Sequence, residues 1–169
     1  MKKDFKEIKA VDIRKNIIKL FGTDWTLITA GDSSSYNTMT ASWGGLGVLW
    51  NKDVCFIFVR PVRFTYEFTE KFNYFSLSFF TEKYRHALEL CGTKSGRDGD
   101  KIKESGLTPM SFANYVSFKE ADMIITCKKI YFQDINPEYF LDPEIHKVYD
   151  QYDYHRMYVG EIEKVYRKK

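Results

Sequence analysis

The 169 residues suffice for one well-buried core and are short for two ordinary domains, so residues 1–169 are read as a single domain. Hydrophobic residues at 44% and charged residues at 29% exclude a disordered chain. A balance of 26 basic against 23 acidic residues, net +3, speaks against an extended nucleic-acid track and calls for no membrane surface.

The opening MKKDFKEIKA has charge but no apolar centre, so it does not read as a signal peptide, and its basic start and the basic Arg167-Lys168-Lys169 end read as polar termini. No apolar run approaches the roughly 20 residues of a membrane helix. Cys55, Cys91 and Cys127 are scattered, without C-x-x-C spacing. That pattern predicts buried, reduced thiols and a cytoplasmic location. With three His equally dispersed, no metal-ligand spacing is present.

In chain order, Ile13, Ile17, Ile18, Leu20 and Phe21 predict an amphipathic helix capped by Asp12 and stopped at Gly22. WTLITA (25–30) and residues 36–42 predict a hairpin around the turn cluster Gly31-Asp32-Ser33-Ser34-Ser35. On its second strand Thr38, Thr40 and Ser42 share one face. Three hydroxyls on a face suit either a polar ligand or an exposed β surface. Gly44-Gly45-Leu46-Gly47 is a small-residue patch. Residues 54–59 (VCFIFV) read as a strand buried on both faces.

Phe64, Phe68 and Phe72 recur every fourth residue and predict a helix over 63–72. Arg60, Arg63 and Thr65 fall at its start, where free N–H groups and the positive dipole end lie. Two guanidinium groups and a hydroxyl there suit a phosphate clamp, or else are solvated surface groups. A strand over 74–80 and a helix over 84–91 follow. The glycine-rich 91–101 loop, CGTKSGRDGDK, reads either as a ligand cradle or as a connector, and it lacks P-loop spacing. A short helix ends at Gly106, and residues from Thr108 read as a looser segment. A long strand lies within 118–132, a helical piece interrupted near Pro143 within 137–149, and a closing strand over 154–165. The pattern predicts a mainly β fold with peripheral helices, and a closed antiparallel barrel is its common solution.

Four pieces in this order resemble the flavin reductase-like family with an FMN-binding split β-barrel, the group that includes flavoredoxin-type proteins. They are Asn37-Thr38-Met39-Thr40-Ala41-Ser42-Trp43; Arg60-Pro61-x-Arg63-x-Thr65; Cys91-Gly92-x-x-Ser95-Gly96-Arg97-Asp98 with Lys101; and His155 with Tyr158-x-Gly160-Glu161-Ile162. The resemblance implies a homodimer with tightly bound FMN near the subunit interface. It implies Asn37, Thr38, Met39, Thr40, Ala41 and Ser42 along the isoalloxazine and ribityl chain, with Trp43 flanking the ring. It places Arg60, Arg63 and Thr65 on the phosphate, and closes the loop of Cys91, Gly92, Thr93, Ser95 and Lys101 over the cofactor. His155 is a site candidate, although a lone strand His is more often a structural hydrogen-bond donor than a catalyst.

The implied activity is NAD(P)H-dependent flavin reduction, with NADH or NADPH as co-substrate and hydride passing to flavin N5. The flavin itself carries that chemistry, so no catalytic side chain is expected. Two other functions fit the residues less closely: a flavoredoxin-like electron-transfer protein without its own nicotinamide site, and a small barrel binding single-stranded nucleic acid, which the even charge disfavours.

Overall fold

The computed structural model describes residues 4–149 and 151–169. Among the described residues ten strands form: β1 (Phe5–Ile8), β2 (Thr26–Gly31), β3 (Tyr36–Ala41), β4 (Gly44–Leu49), β5 (Lys52–Val59), β6 (Tyr74–Phe79), β7 (Pro109–Phe112), β8 (Tyr115–Phe118), β9 (Met123–Asp134) and β10 (Arg156–Lys168). Four α-helices accompany them: α1 (Ile17–Gly22), α2 (Phe64–Lys71), α3 (Arg85–Thr93) and α4 (Lys101–Ser105).

Eight strands make one antiparallel sheet in the order β3-β2-β6-β9-β10-β5-β4, with β1 added along β10. Its two end strands, β3 and β4, are consecutive in sequence and joined only by Ser42 and Trp43. So short a link reaches across about 10 Å. The sheet must therefore curl until its ends nearly meet, although β3 and β4 do not pair among the described residues. This is a mainly β, split-barrel architecture. Gly44 makes the corner at φ +155°, where a Cβ would stand 2.6 Å from the Phe21 ring.

Two apolar clusters hold the sheet from its two sides. The first gathers residues such as Ile28, Leu77, Ile125, Ile57 and Tyr158. The second places Leu27, Ile124 and Phe118 against Ala87, Leu88 and Cys91 of α3. Neighbours Leu27 and Ile28 belong to different clusters, as do Ile124 and Ile125, because successive side chains leave a strand on opposite faces. This explains why all six residues of β2 are buried. The three cysteines are buried as expected, and the Cys55 thiol lies 3.2 Å from that of Cys127.

β10 organises the sheet. Its first half pairs with β5, its last residues pair with β1, and its other edge follows β9 with register shifts after Val159 and Ile162. Gly160 sits at the first shift, where a Cβ would lie 2.5 Å from the Phe75 ring and 2.8 Å from Cys127 Cβ.

Five expectations change. The first helix begins at Ile17, because Asn16 caps it by accepting the Lys19 N–H at 3.0 Å, while Ala10–Asp12 forms a 3-10 turn. The small-residue patch is strand β4, its register fixed by pairing with β5. Residues 109–118 form the β7–β8 hairpin rather than a loose segment. The piece at 137–149 is two 3-10 turns, Pro137–Tyr139 and Pro143–Val148. Arg167 and Lys168 belong to β10 and residues 5–8 to β1, while Met1, Lys2 and Lys3 lie outside the described residues.

Gly160→Ala tests the close packing beneath β10. The added methyl should lower the unfolding free energy by about 1–3 kcal/mol, read as a lower urea midpoint at unchanged slope.

Candidate functional site

The corner between β3 and β4 opens onto two adjoining cavities that share Met39, Arg60 and Arg63 in their walls. One, of about 310 Å³, is bounded by the start of α2 (Phe64, Thr65), the loop residues Thr93, Lys94 and Ser95, Lys101, and Gln151 with Asp153. The other, of about 300 Å³, runs along residues 39–43 and is closed by Phe58 and His155.

Local sequence explains the first cavity. Arg63 is the N-cap of α2 but makes no side-chain cap, so the first-turn amides beside it have no capping side chain. Thr65 is buried and its hydroxyl accepts a 2.7 Å hydrogen bond from Asn37 Nδ2, tying β3 to the helix start. One Arg63 nitrogen donates to the Gly92 carbonyl at 2.7 Å. Arg60 donates to the Val148 carbonyl at 2.7 Å, reaches Asp153 at 3.5 Å, and lies over the Tyr149 ring at 5.2 Å. A guanidinium has five N–H donors, so both arginines keep donors beyond these contacts.

Lys101, a candidate already in the sequence, is only 4% exposed, which is rare for a lysine. Its ammonium donates to the carbonyls of Lys94 at 3.1 Å and Cys91 at 3.4 Å. Burial pushes its pKa below the ordinary lysine value; the Cys91 thiolate would oppose that shift, and Arg63 adds to it. The loop carrying these carbonyls is pressed onto β3: a Cβ on Gly96 would fall 2.3 Å from Asn37 Oδ1.

In the second cavity His155 stands 5.0 Å from the Trp43 ring, with Nδ1 2.9 Å from the Tyr149 hydroxyl. Burial lowers its pKa to about 4, helped by Arg60 and opposed by Asp153. The imidazole is therefore neutral at pH 7 and adds a polar, uncharged wall.

The structure brings Met39, Thr40, Ala41, Ser42, Trp43, Arg60, Arg63, Thr65, Thr93, Ser95, Lys101 and His155 onto these two walls. It places four sequence-predicted residues behind them. Asn37 supports Thr65. Thr38 is fully buried, bonded to Thr29 Oγ1 at 2.9 Å and the Ile28 carbonyl at 3.1 Å. Cys91 belongs to the core beneath α3. Gly92 packs on Thr40, whose own hydroxyl bonds the Leu88 carbonyl. On the hydroxyl face, Thr38 is thus tied to β2 and Thr40 to α3, while Thr40 and Ser42 still reach the cavity wall. Six further residues line the walls that were not among the candidates: Phe58, Val62, Phe64, Lys94, Gln151 and Asp153. The signals for Asp153 were its place in a stretch rich in Tyr and Asp, residues 132–154, and its position two residues before His155.

The family model described as flavin reductase like domain matches residues 18–169. The chain belongs to the flavin reductase-like family. No curated protein matches it in sequence. Among solved structures, this flavin reductase-like chain is similar to an FMN-binding domain of a flavin reductases-like enzyme from Shewanella baltica, at TM-score 0.68 and 15% identity over 97% of this chain and 77% of that one. It is similar to flavoredoxin from Methanosarcina acetivorans, at TM-score 0.68 and 19% identity over 96% and 77%. Flavoredoxin from Desulfovibrio vulgaris (Miyazaki F) aligns at TM-score 0.65 and 22% identity over 94% and 75%. At these identities the likeness establishes the fold, a split barrel of the flavin reductase type.

A depressed histidine pKa means that the unfolded chain binds the extra proton first as pH falls. Stability from His155 is complete above about pH 6.5 and is lost on descending to about pH 4, with a slope of at most about 1.4 kcal/mol per pH unit. His155→Gln should flatten the stability profile in that window, and the wild-type His155 ring signal in NMR should not titrate until below pH 5.

Proposed function

We propose that this domain binds FMN across the two cavities and acts as an NAD(P)H-dependent flavin reductase. The observation that carries the reading is the joining of two unlike cavities through Met39, Arg60 and Arg63. The first offers Arg63, Lys101, Thr65 and an uncapped helix start, a donor set suited to a phosphate monoester. The second offers the extended backbone of 39–43 and the Trp43 ring, suited to a flat heterocycle with N–H and C=O edges.

Bound FMN would supply the hydride- and electron-transfer chemistry. The chain's residues do the rest. Arg60, Arg63 and Lys101 hold the anionic end. Thr65 is fixed by Asn37 and cannot drift. Trp43 and the neutral His155 limit water at the ring end without placing a charge there. No side chain is required as an acid or base, so substitutions should act through flavin affinity.

The fold likeness to two flavoredoxins favours a second reading, an FMN electron carrier reduced by a partner protein. Under either reading we propose a homodimer. β4 is an edge strand, and Val48 on it and Trp50 just after it are 71% and 56% exposed, an apolar edge suited to cover by a second copy. Among the described residues no helix is long and apolar enough to cross a membrane. A cytoplasmic location is proposed from the three reduced cysteines.

Two experiments test this. Replacing both Arg60 and Arg63 by Ala should weaken FMN binding roughly a hundredfold or more, from about 1.5 kcal/mol per charged hydrogen bond lost; a double variant that still copurifies with stoichiometric flavin would refute the phosphate assignment. Anaerobic NADH or NADPH should bleach the flavin absorbance within seconds, whereas no bleaching with either nucleotide would select the electron carrier.

A further inference from the structure

One group in the cationic cavity is not accounted for by phosphate binding. Asp153 lines the same wall as Arg60 and Gln151, and its side chain is only 8% exposed. Oδ2 meets Arg60 at 3.5 Å, the outer limit of a hydrogen bond. Oδ1 is buried with no hydrogen-bond partner among the described residues. Buried carboxylate oxygens are almost always satisfied, and leaving one bare is costly. Arg60 does not turn to cap it, because the Val148 carbonyl and the Tyr149 ring already fix the guanidinium. Asp153 lines the cavity, so a bound ligand is one source of the missing donor once the carboxylate turns toward it.

A phosphate dianion has only acceptors, so it cannot satisfy Oδ1 and is repelled by it. The complement is a hydroxyl or an amide N–H. In the FMN reading, on which this inference rests, the donors joined most closely to the phosphate are the ribityl hydroxyls. We propose that Asp153 is a specificity-determining residue that accepts a hydrogen bond from a hydroxyl of the ligand's polyol chain. The cavity then has two chemically opposite ends, with cations at Arg63 and Lys101 for the phosphate and a carboxylate at Asp153 for the neutral polyol beside it.

A ligand series separates this role from a merely structural one. Lumiflavin carries the ring alone, riboflavin adds the polyol, and FMN adds the phosphate. Flavin-depleted wild type, Asp153→Ala and Asp153→Asn are titrated with each, following flavin fluorescence, after circular dichroism has confirmed that the variants are folded. In Asp153→Ala, affinity for riboflavin should fall about tenfold or more and affinity for FMN should fall with it, with lumiflavin unchanged. Asp153→Asn keeps a neutral acceptor oxygen of the same size and should lose less for both, so it carries the test if the Ala variant does not fold. A loss confined to FMN would show that Asp153 acts only by holding Arg60 for the phosphate, and a loss that includes lumiflavin would show a general effect on the pocket. Either result overturns the proposal while leaving the FMN reading intact. Wild type that binds none of the three overturns the FMN reading and this role together.

Discussion

Two residues, Ser42 and Trp43, constrain the whole molecule. They join the first and last strands of the main sheet, so the sheet cannot lie open without breaking the chain. Because β3 and β4 nevertheless remain unpaired, backbone and side chains around the joint are free to face a ligand rather than a neighbouring strand. The cavities lie where the curl is forced and the pairing is incomplete. Gly44 makes the corner possible, and Phe21 of the short α1 fills the space that a side chain there would need.

Around that joint, charge is sorted by position. Arg63 and Lys101 face the cavity beside the start of α2, and the carbonyls of Gly92, Cys91 and Lys94 hold them in place. Asp153 stands against Arg60 on the far wall, and the imidazole of His155 is kept neutral. Such an arrangement favours one anionic group in one place over a general attraction for polyanions, in keeping with a net charge of only +3.

Much of this was legible in the sequence because local rules and tertiary needs coincide. Residues 54–59 are apolar throughout and form most of β5, although only Val54, Cys55, Ile57 and Val59 are buried while Phe56 and Phe58 stay half-buried; Phe64 and Phe68 recur at helical spacing and lie on α2. The elements that were not legible are those where context overrides propensity. Gly44, Gly45 and Gly47 are poor strand formers, and β4 exists because β5 offers a free edge. The β7–β8 turn places Ala113 at φ +49°, where a glycine would have announced a hairpin. Within the site, Arg60, Arg63 and Lys101 could be picked out by motif. Thr38 and Cys91 share those motifs yet face the interior. Asp153 lies in an aperiodic stretch of tyrosines and aspartates, and its importance comes from burial and an empty acceptor, which no spacing encodes.

The layout of β10 bears on how the molecule is made. Strands β5 and β9 have no direct pairing with each other and depend on β10 between them, while Phe5 of β1 pairs with Lys168 at the far end of the chain. Contacts so distant along the polypeptide carry a large loop-closure cost and slow the search for the native state. During synthesis on the ribosome the earlier strands emerge with open edges and wait for their central partner. Until β10 is made those edges are open to wrong pairing, and their transient shielding by a chaperone would raise the yield of folded protein.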